Sequence, residues 1–125
     1  MGKWCKDQHN KSGLVTRCKQ SSYFMAQAEH LVLSFIKEHV DKNVGILAGN
    51  SVHVDKTFLH KDMPKLHDYV NYRIMDVTSL REICKRWYPD ALQNVPKKKK
   101  SHRAMEDIKE SITELRYYRH TIFKS

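Results

Sequence analysis

Apolar positions in this chain fall into short stripes between charged stretches, and their spacing switches between helical and extended periods. From Ser22, the residues Ala28, Leu31, Val32, Phe35 and Ile36 recur at helical offsets and form one apolar face. Ser21 or Ser22 can cap that helix, and Asp41-Lys42-Asn43 ends it. Val44 to Ala48 is a short apolar run beside glycines, which predicts a buried strand. Gly49-Asn50 then turns the chain into a helix from about Val52 to Met63, stopped by Pro64. Arg73 to Val77 is a second strand. Asp76 or Thr78 caps the helix that follows, in which Leu80, Ile83, Cys84 and Trp87 share a face. Pro89 ends it, residues 89 to 100 read as a lysine-rich loop, and the last helix runs from about Arg103 to His120 with Ile108, Ile112, Leu115 and Tyr118 inward. Residues 1 to 13 carry only weak periodicity.

Strands alternating with helices imply an α/β layer in a single domain, residues 1–125. Two strands make a poor sheet alone. Helices with apolar stripes then have little sheet to cover, so the pattern predicts an incomplete α/β domain, mostly helical and short of strands. Low stability of the isolated chain follows, from an uncovered sheet edge and helices without partners.

Charge changes the picture more than hydrophobicity does. The chain has 23 basic and 14 acidic residues, a formal charge of +9. Such an excess favours polyanions, since neutralising phosphates releases counterions; the competing reading is a basic but inert surface. Three cysteines without C-x-x-C spacing speak against a disulfide framework and for a reducing compartment. Cys18 and Cys84 read as buried small hydrophobes. No apolar run is long enough to span a bilayer, and no signal peptide is visible. Met1-Gly2 lacks the Ser or Thr wanted for myristoylation, because Lys6 stands there. These readings place the protein inside the cell, in cytoplasm or mitochondrion, with no membrane partner.

Two segments carry candidate chemistry. In Ser101-His102-Arg103-Ala104-Met105-Glu106-Asp107 a histidine precedes an aspartate at the mouth of a helix, and Gly49-Asn50-Ser51-Val52-His53-Val54-Asp55 places another aspartate early in a helix after a strand. Carboxylates that hold divalent ions, with a histidine to take a proton from water, suit metal-assisted phosphodiester cleavage. The competing reading is two carboxylates that merely complement helix dipoles. His53, His60 and His67 recur every seven residues, but Pro64 interrupts the helix and no cysteine lies near, so zinc is not expected. Trp4 lies on no apolar stripe and can stack on a base; Tyr69, Tyr72 and Tyr88 offer further rings, while Trp87 reads as core. Tyr117 and Tyr118 read as packing at a core or dimer boundary. The run Lys97 to Lys100 reads as a solvated loop with some attraction for RNA.

In combination these residues resemble a known family. Leu47-Ala48-Gly49-Asn50-Ser51-Val52-His53-Val54-Asp55-Lys56-Thr57-Phe58-Leu59 is similar to the second exonuclease motif of the oligoribonucleases. Ser101-His102-Arg103-Ala104-Met105-Glu106-Asp107-Ile108 is similar to their third, and Tyr72-Arg73-Ile74-Met75-Asp76-Val77, Arg86-Trp87-Tyr88-Pro89, Tyr117-Tyr118-Arg119 and Trp4-Cys5-Lys6-Asp7-Gln8-His9 agree too. The resemblance implies a 3′→5′ exoribonuclease of the DEDDh type, with a ribonuclease H-like fold, acting on very short RNA such as dinucleotides and working as a homodimer. It implies Asp55 and Asp107 as ligands of two Mg²⁺ or Mn²⁺ ions and His102 as general base. It implies Trp4 stacked on a base, His9 and Ser51 lining the substrate pocket, and Tyr72, Arg73 and Thr78 capping a 5′ phosphate across the dimer. The family's first motif, an Asp-x-Glu on the opening strand, is absent from this sequence, so the expected domain is an exonuclease lacking its first strands. Two carboxylates would leave the charge of two divalent ions largely uncompensated. The alternative expectation is a non-catalytic RNA-binding or dimerisation module that pairs with a full-length subunit and lends it the phosphate cap.

Overall fold

The computed structural model describes residues 24–99 and 103–124. Trp4, His9, Cys18, the cap candidates Ser21 and Ser22, and His102 lie outside them. The described residues fall into two compact units that meet inside one helix, the first ending at Glu82 and the second running from Ile83 onward.

The first unit holds helix α1 (Met25–His39), strand β1 (Leu47–Gly49), helices α2 (Val52–Asp62) and α3 (Pro64–Tyr69), and strand β2 (Ile74–Asp76). Helix α4 (Val77–Trp87) crosses from the first unit to the second, which also holds a 3₁₀ turn (Pro89–Asn94) and helix α5 (Ala104–Thr121). Mixed α/β character with mostly helix agrees with the expectation. β1 and β2 are parallel, pairing Leu47 with Ile74, Ala48 with Met75 and Gly49 with Asp76. Parallel neighbours require a crossover, and α2 with α3 provides it.

Pro64 does not simply stop a helix. Its missing N–H costs nothing at the first position of a new one, and α3 begins on it. The rest of α3's start is satisfied from a distance: Glu29 on α1 accepts hydrogen bonds from the backbone N–H of Lys65 (2.9 Å) and Leu66 (3.3 Å). A carboxylate there meets both unpaired donors and the positive end of the helix dipole. Glu29 is therefore buried, while Leu31, Val32 and Phe35 of the predicted inward stripe are exposed, Phe35 by 63%.

Residues before β1 form a turn rather than strand. Asn43 takes a left-handed conformation (φ 68°), and the N–H of Val44 donates to the Asp41 carbonyl at 3.3 Å. A Cβ on Gly45 would fall 2.9 Å from Cγ1 of Val40, so only glycine fits that approach without a shift. The strand starts at Leu47.

The second unit corrects three side-chain assignments. Cys84 is buried as expected, but Trp87 is 71% exposed, and Ile108 and Ile112 of α5 are exposed as well. α5 buries Tyr118 as expected, at 0% exposure, and beside it Glu114, at 1%. Tyr118 donates its hydroxyl to Oε2 of Glu114 at 2.8 Å, and Lys98 Nζ stands 2.8 Å from Oε1. The carboxylate is buried because it is paired on both oxygens. Glu110, one turn earlier, accepts the backbone N–H of Lys99 at 2.8 Å. The lysine-rich segment is thus held against α5 at two points, and Lys98 is not a freely solvated cation. Tyr117 donates its hydroxyl to the Ala91 carbonyl, fixing the 3₁₀ turn.

Candidate active site

In open α/β sheets, ligands are met just beyond the carboxyl ends of parallel strands. Here those ends are Gly49 and Asp76, paired side by side. Each strand passes directly into a helix, so both turns leave backbone N–H groups to be satisfied.

Asp76 satisfies both. Its Oδ1 accepts the N–H of Thr78 at 3.0 Å, capping α4, and the N–H of Ser51 at 2.9 Å, at the entry to α2. The sequence pattern left the cap open between Asp76 and Thr78; the structure assigns it to Asp76. Thr78 turns its hydroxyl the other way. Its Oγ1 accepts the Ser51 N–H and the Asn50 side-chain amide, each at 3.2 Å. His53 Nδ1 stands 3.7 Å from Oδ2 of Asp76. Five residues from two turns are thereby locked together.

Ser51 sits at the centre with φ 53° and ψ 38°. A left-handed serine is uncommon, and the two bonds to its N–H hold it there. Its own hydroxyl is exposed and has no partner among the described residues. One turn further on, in the first turn of α2, Asp55 is exposed, and its carboxylate makes no bond or ion pair among the described residues. Among the described residues, the Ser51 hydroxyl and the Asp55 carboxylate are thus polar groups without partners beyond the strand ends.

Tyr72 and Arg73 lie at the other end of β2, separated from Thr78 by the strand, about 10 Å long. Within one chain the structure does not gather these three. Arg73 packs its guanidinium 5.0 Å from the centroid of the Tyr72 ring. Lys56, beside Asp55 on α2, donates its ammonium to the Tyr72 carbonyl. Asp107 belongs to the other unit, exposed in the first turn of α5 beside Glu106. Sequence reasoning passed over Asp76, Lys56 and Asn71 as site-building residues. An aspartate that ends a strand signals a cap, but nothing local signals that it reaches a second turn.

Oxygen from an exposed, unpaired carboxylate is what hard divalent cations take, so Asp55 fits such an ion in kind. Among the described residues no three His, Cys, Asp or Glu side chains stand close enough to hold one. That holds for the heptad-spaced histidines too: His60 and His67 meet edge to face with centroids 4.8 Å apart, and His67 Nδ1 lies 3.0 Å from Oδ1 of Asp68.

Residues 1–115 match the exonuclease (RNase_T) family. The chain belongs to that family. It is 49% identical to the mitochondrial oligoribonuclease of Mus musculus over 124 residues, covering 99% of this chain and 52% of that protein. The mitochondrial oligoribonuclease of Homo sapiens gives the same figures, 49% identity with 99% and 52% coverage. The oligoribonuclease of Arabidopsis thaliana is 45% identical over 125 residues, covering all of this chain and 56% of that protein. The chain spans about half the length of the curated relatives it matches. No helix among the described residues of this chain is long and apolar enough to cross a membrane.

Proposed function

We propose that this chain acts on RNA as a 3′→5′ exoribonuclease of the oligoribonuclease type, with very short oligonucleotides, notably dinucleotides, as substrates. The observation that carries the reading is the placement of the Ser51 hydroxyl and the Asp55 carboxylate: both exposed and without a partner among the described residues, just beyond the carboxyl ends of two paired parallel strands. Identities of 44–49% to the animal oligoribonucleases support the substrate class.

In this reading Ser51 lines the substrate pocket with His9, and Trp4 stacks on a base. His102 takes the proton of the attacking water. Asp55 and Asp107 would contribute oxygens to Mg²⁺ or Mn²⁺. The chemistry such ions supply is stabilisation of negative charge on phosphate oxygens. Tyr72, Arg73 and Thr78 meet the 5′ phosphate, acting across a homodimer or in a pair with a full-length subunit. The names of the mouse and human relatives favour mitochondria as the compartment, with cytoplasm the other choice.

A second reading, a module without turnover that pairs with a complete subunit, is favoured by the large apolar side chains left exposed in the first unit. These include Val44, Phe58, Met75 and Phe35.

The test is cleavage of a dinucleotide by the purified chain with Mn²⁺, beside His102→Ala and Asp55→Asn. Turnover should fall by at least about 100-fold in either variant. Asp55→Asn should move the unfolding free energy by less than about 0.5 kcal/mol, because the carboxylate holds nothing structural. Binding without turnover in the unvaried chain selects the second reading, and residual turnover untouched by either change sinks the first.

A further inference from the structure

Tyr72 and Arg73 sit on a connection, outside any helix or strand, and Tyr72 is 68% exposed. Exposed side chains on a free loop would have to be ordered at binding, at an entropic cost. The backbone around them is nevertheless pinned. The Tyr72 carbonyl accepts the Lys56 ammonium. The Arg73 N–H donates to Oδ1 of Asn71 at 2.9 Å. Asn71 is itself held twice by the loop before β1, through its Nδ2 to the Asn43 carbonyl at 3.0 Å and its N–H to the Gly45 carbonyl at 2.8 Å. Asn43 closes the frame by donating its N–H to the Tyr69 carbonyl at 2.8 Å.

We infer that Lys56 and Asn71 are positioning residues: they aim the Tyr72 ring and the Arg73 guanidinium at a terminal phosphate of a short RNA. The assignment rests on the exoribonuclease reading above and adds to it. Arg73 stacks against Tyr72, which orients a planar fork able to take two phosphate oxygens at once. Asn71 sets the direction of the chain entering that pair, and Lys56 holds its midpoint. Because Lys56 follows Asp55 on α2, one helical turn carries both the candidate metal ligand and the anchor of the phosphate-binding pair. A shift of α2 would move this chain's candidate metal ligand together with the phosphate-binding pair that it offers across the dimer. Lys56 spends its ammonium on a carbonyl, so its role differs from that of a cation facing phosphate directly.

The experiment compares equilibrium binding of a 5′-phosphorylated dinucleotide with that of its 5′-hydroxyl counterpart, using the full chain. Arg73→Ala should erase the preference for the phosphate. Lys56→Met and Asn71→Ala should each shrink that preference by roughly fivefold, the scale of one lost hydrogen bond. Lys56→Arg, which keeps a donor of similar reach, should restore it. A merely structural role would weaken both dinucleotides equally, and that result overturns the assignment. Lys56→Met with the parental preference intact, where Arg73→Ala has lost it, also overturns the assignment and leaves the exoribonuclease reading standing. An unvaried chain indifferent to the 5′ phosphate removes the underlying reading and the assignment with it.

Discussion

Asp76 in the first unit and Glu114 in the second are both largely buried carboxylates that organise their surroundings, yet they do so through different partners. Asp76 accepts backbone N–H groups from two strand-to-helix turns. Glu114 accepts side chains, the hydroxyl of Tyr118 and the ammonium of Lys98. The first arrangement satisfies donors that helix geometry leaves unpaired wherever a strand runs into a helix. The second exists only because a lysine from a distant loop arrives in the same place. A carboxylate that binds backbone shapes a site, because backbone donors have fixed directions. A carboxylate that binds long side chains fastens a segment, and its energetics are those of a buried ion pair.

The comparison can be broken most forcefully at Lys98. Lys98→Met should destabilise the protein by about 3 kcal/mol, since the buried Glu114 carboxylate would lose the ammonium that stands 2.8 Å from its Oε1. Chemical denaturation measures it. Adding Glu114→Gln should recover part of the loss, so the double change should cost less than the two single changes summed. Additive effects would mean the pair is not coupled.

Asp76→Ala should cost less, about 2 kcal/mol, through the lost cap and a Ser51 N–H left with only its longer bond to Thr78. Its signature should be local: faster amide hydrogen exchange at Ser51 and Thr78. Asp76→Asn keeps the accepting oxygen and should retain most of the protection. Equal acceleration across the whole chain would show that Asp76 does not act on the two turns in particular.

The smallest effect concerns Cys84, near Glu114. Burial pushes its thiol up, a backbone hydrogen bond partly opposes this, and the Glu114 charge adds to the rise. The folded state therefore holds this proton more tightly than the unfolded one. The stability so contributed is complete below the ordinary thiol range and is lost as pH climbs through it toward the raised value. Cys84→Ala should flatten the alkaline fall in stability by less than about 1 kcal/mol across that window. Unfolding titrations at stepped pH give the slope, and an unchanged slope would show that the thiol is not its source.

Against these details, the path of the chain was well marked in its sequence. The short apolar run beside glycines from Val44 to Ala48 and the segment Arg73 to Val77 located the two strands to within a few residues. Asn43 explains the error at the first, because a left-handed residue makes Val44 part of a turn however apolar it is. Pro64 was visible as punctuation, but proline is as good a first helical residue as it is a last stop, and α3 uses it so. Of the candidate site, Asp55, Ser51 and Thr78 stood out through their motifs, and the structure gathers Ser51 and Thr78 by direct bonds with Asp55 one turn away. Asp76, Lys56 and Asn71 did not stand out, because their importance lies in what they reach.

The helical stripes failed in an instructive way. Periodicity identified α1 and α5 and put Tyr118 inside correctly, but it also put Phe35, Ile108 and Ile112 inside, where the structure buries Glu29 and Glu114. Helices, turns, strand positions and membership of the exonuclease family are written in the sequence, because short-range backbone sterics and motif spacing act over a few residues. Which side chains are buried, and which carboxylates hold the chain together, was decided only by tertiary structure. A charged group can enter the interior only where its partners meet it, and those partners come from 16 to 37 positions away for Lys98 with Glu114 and Leu66 with Glu29.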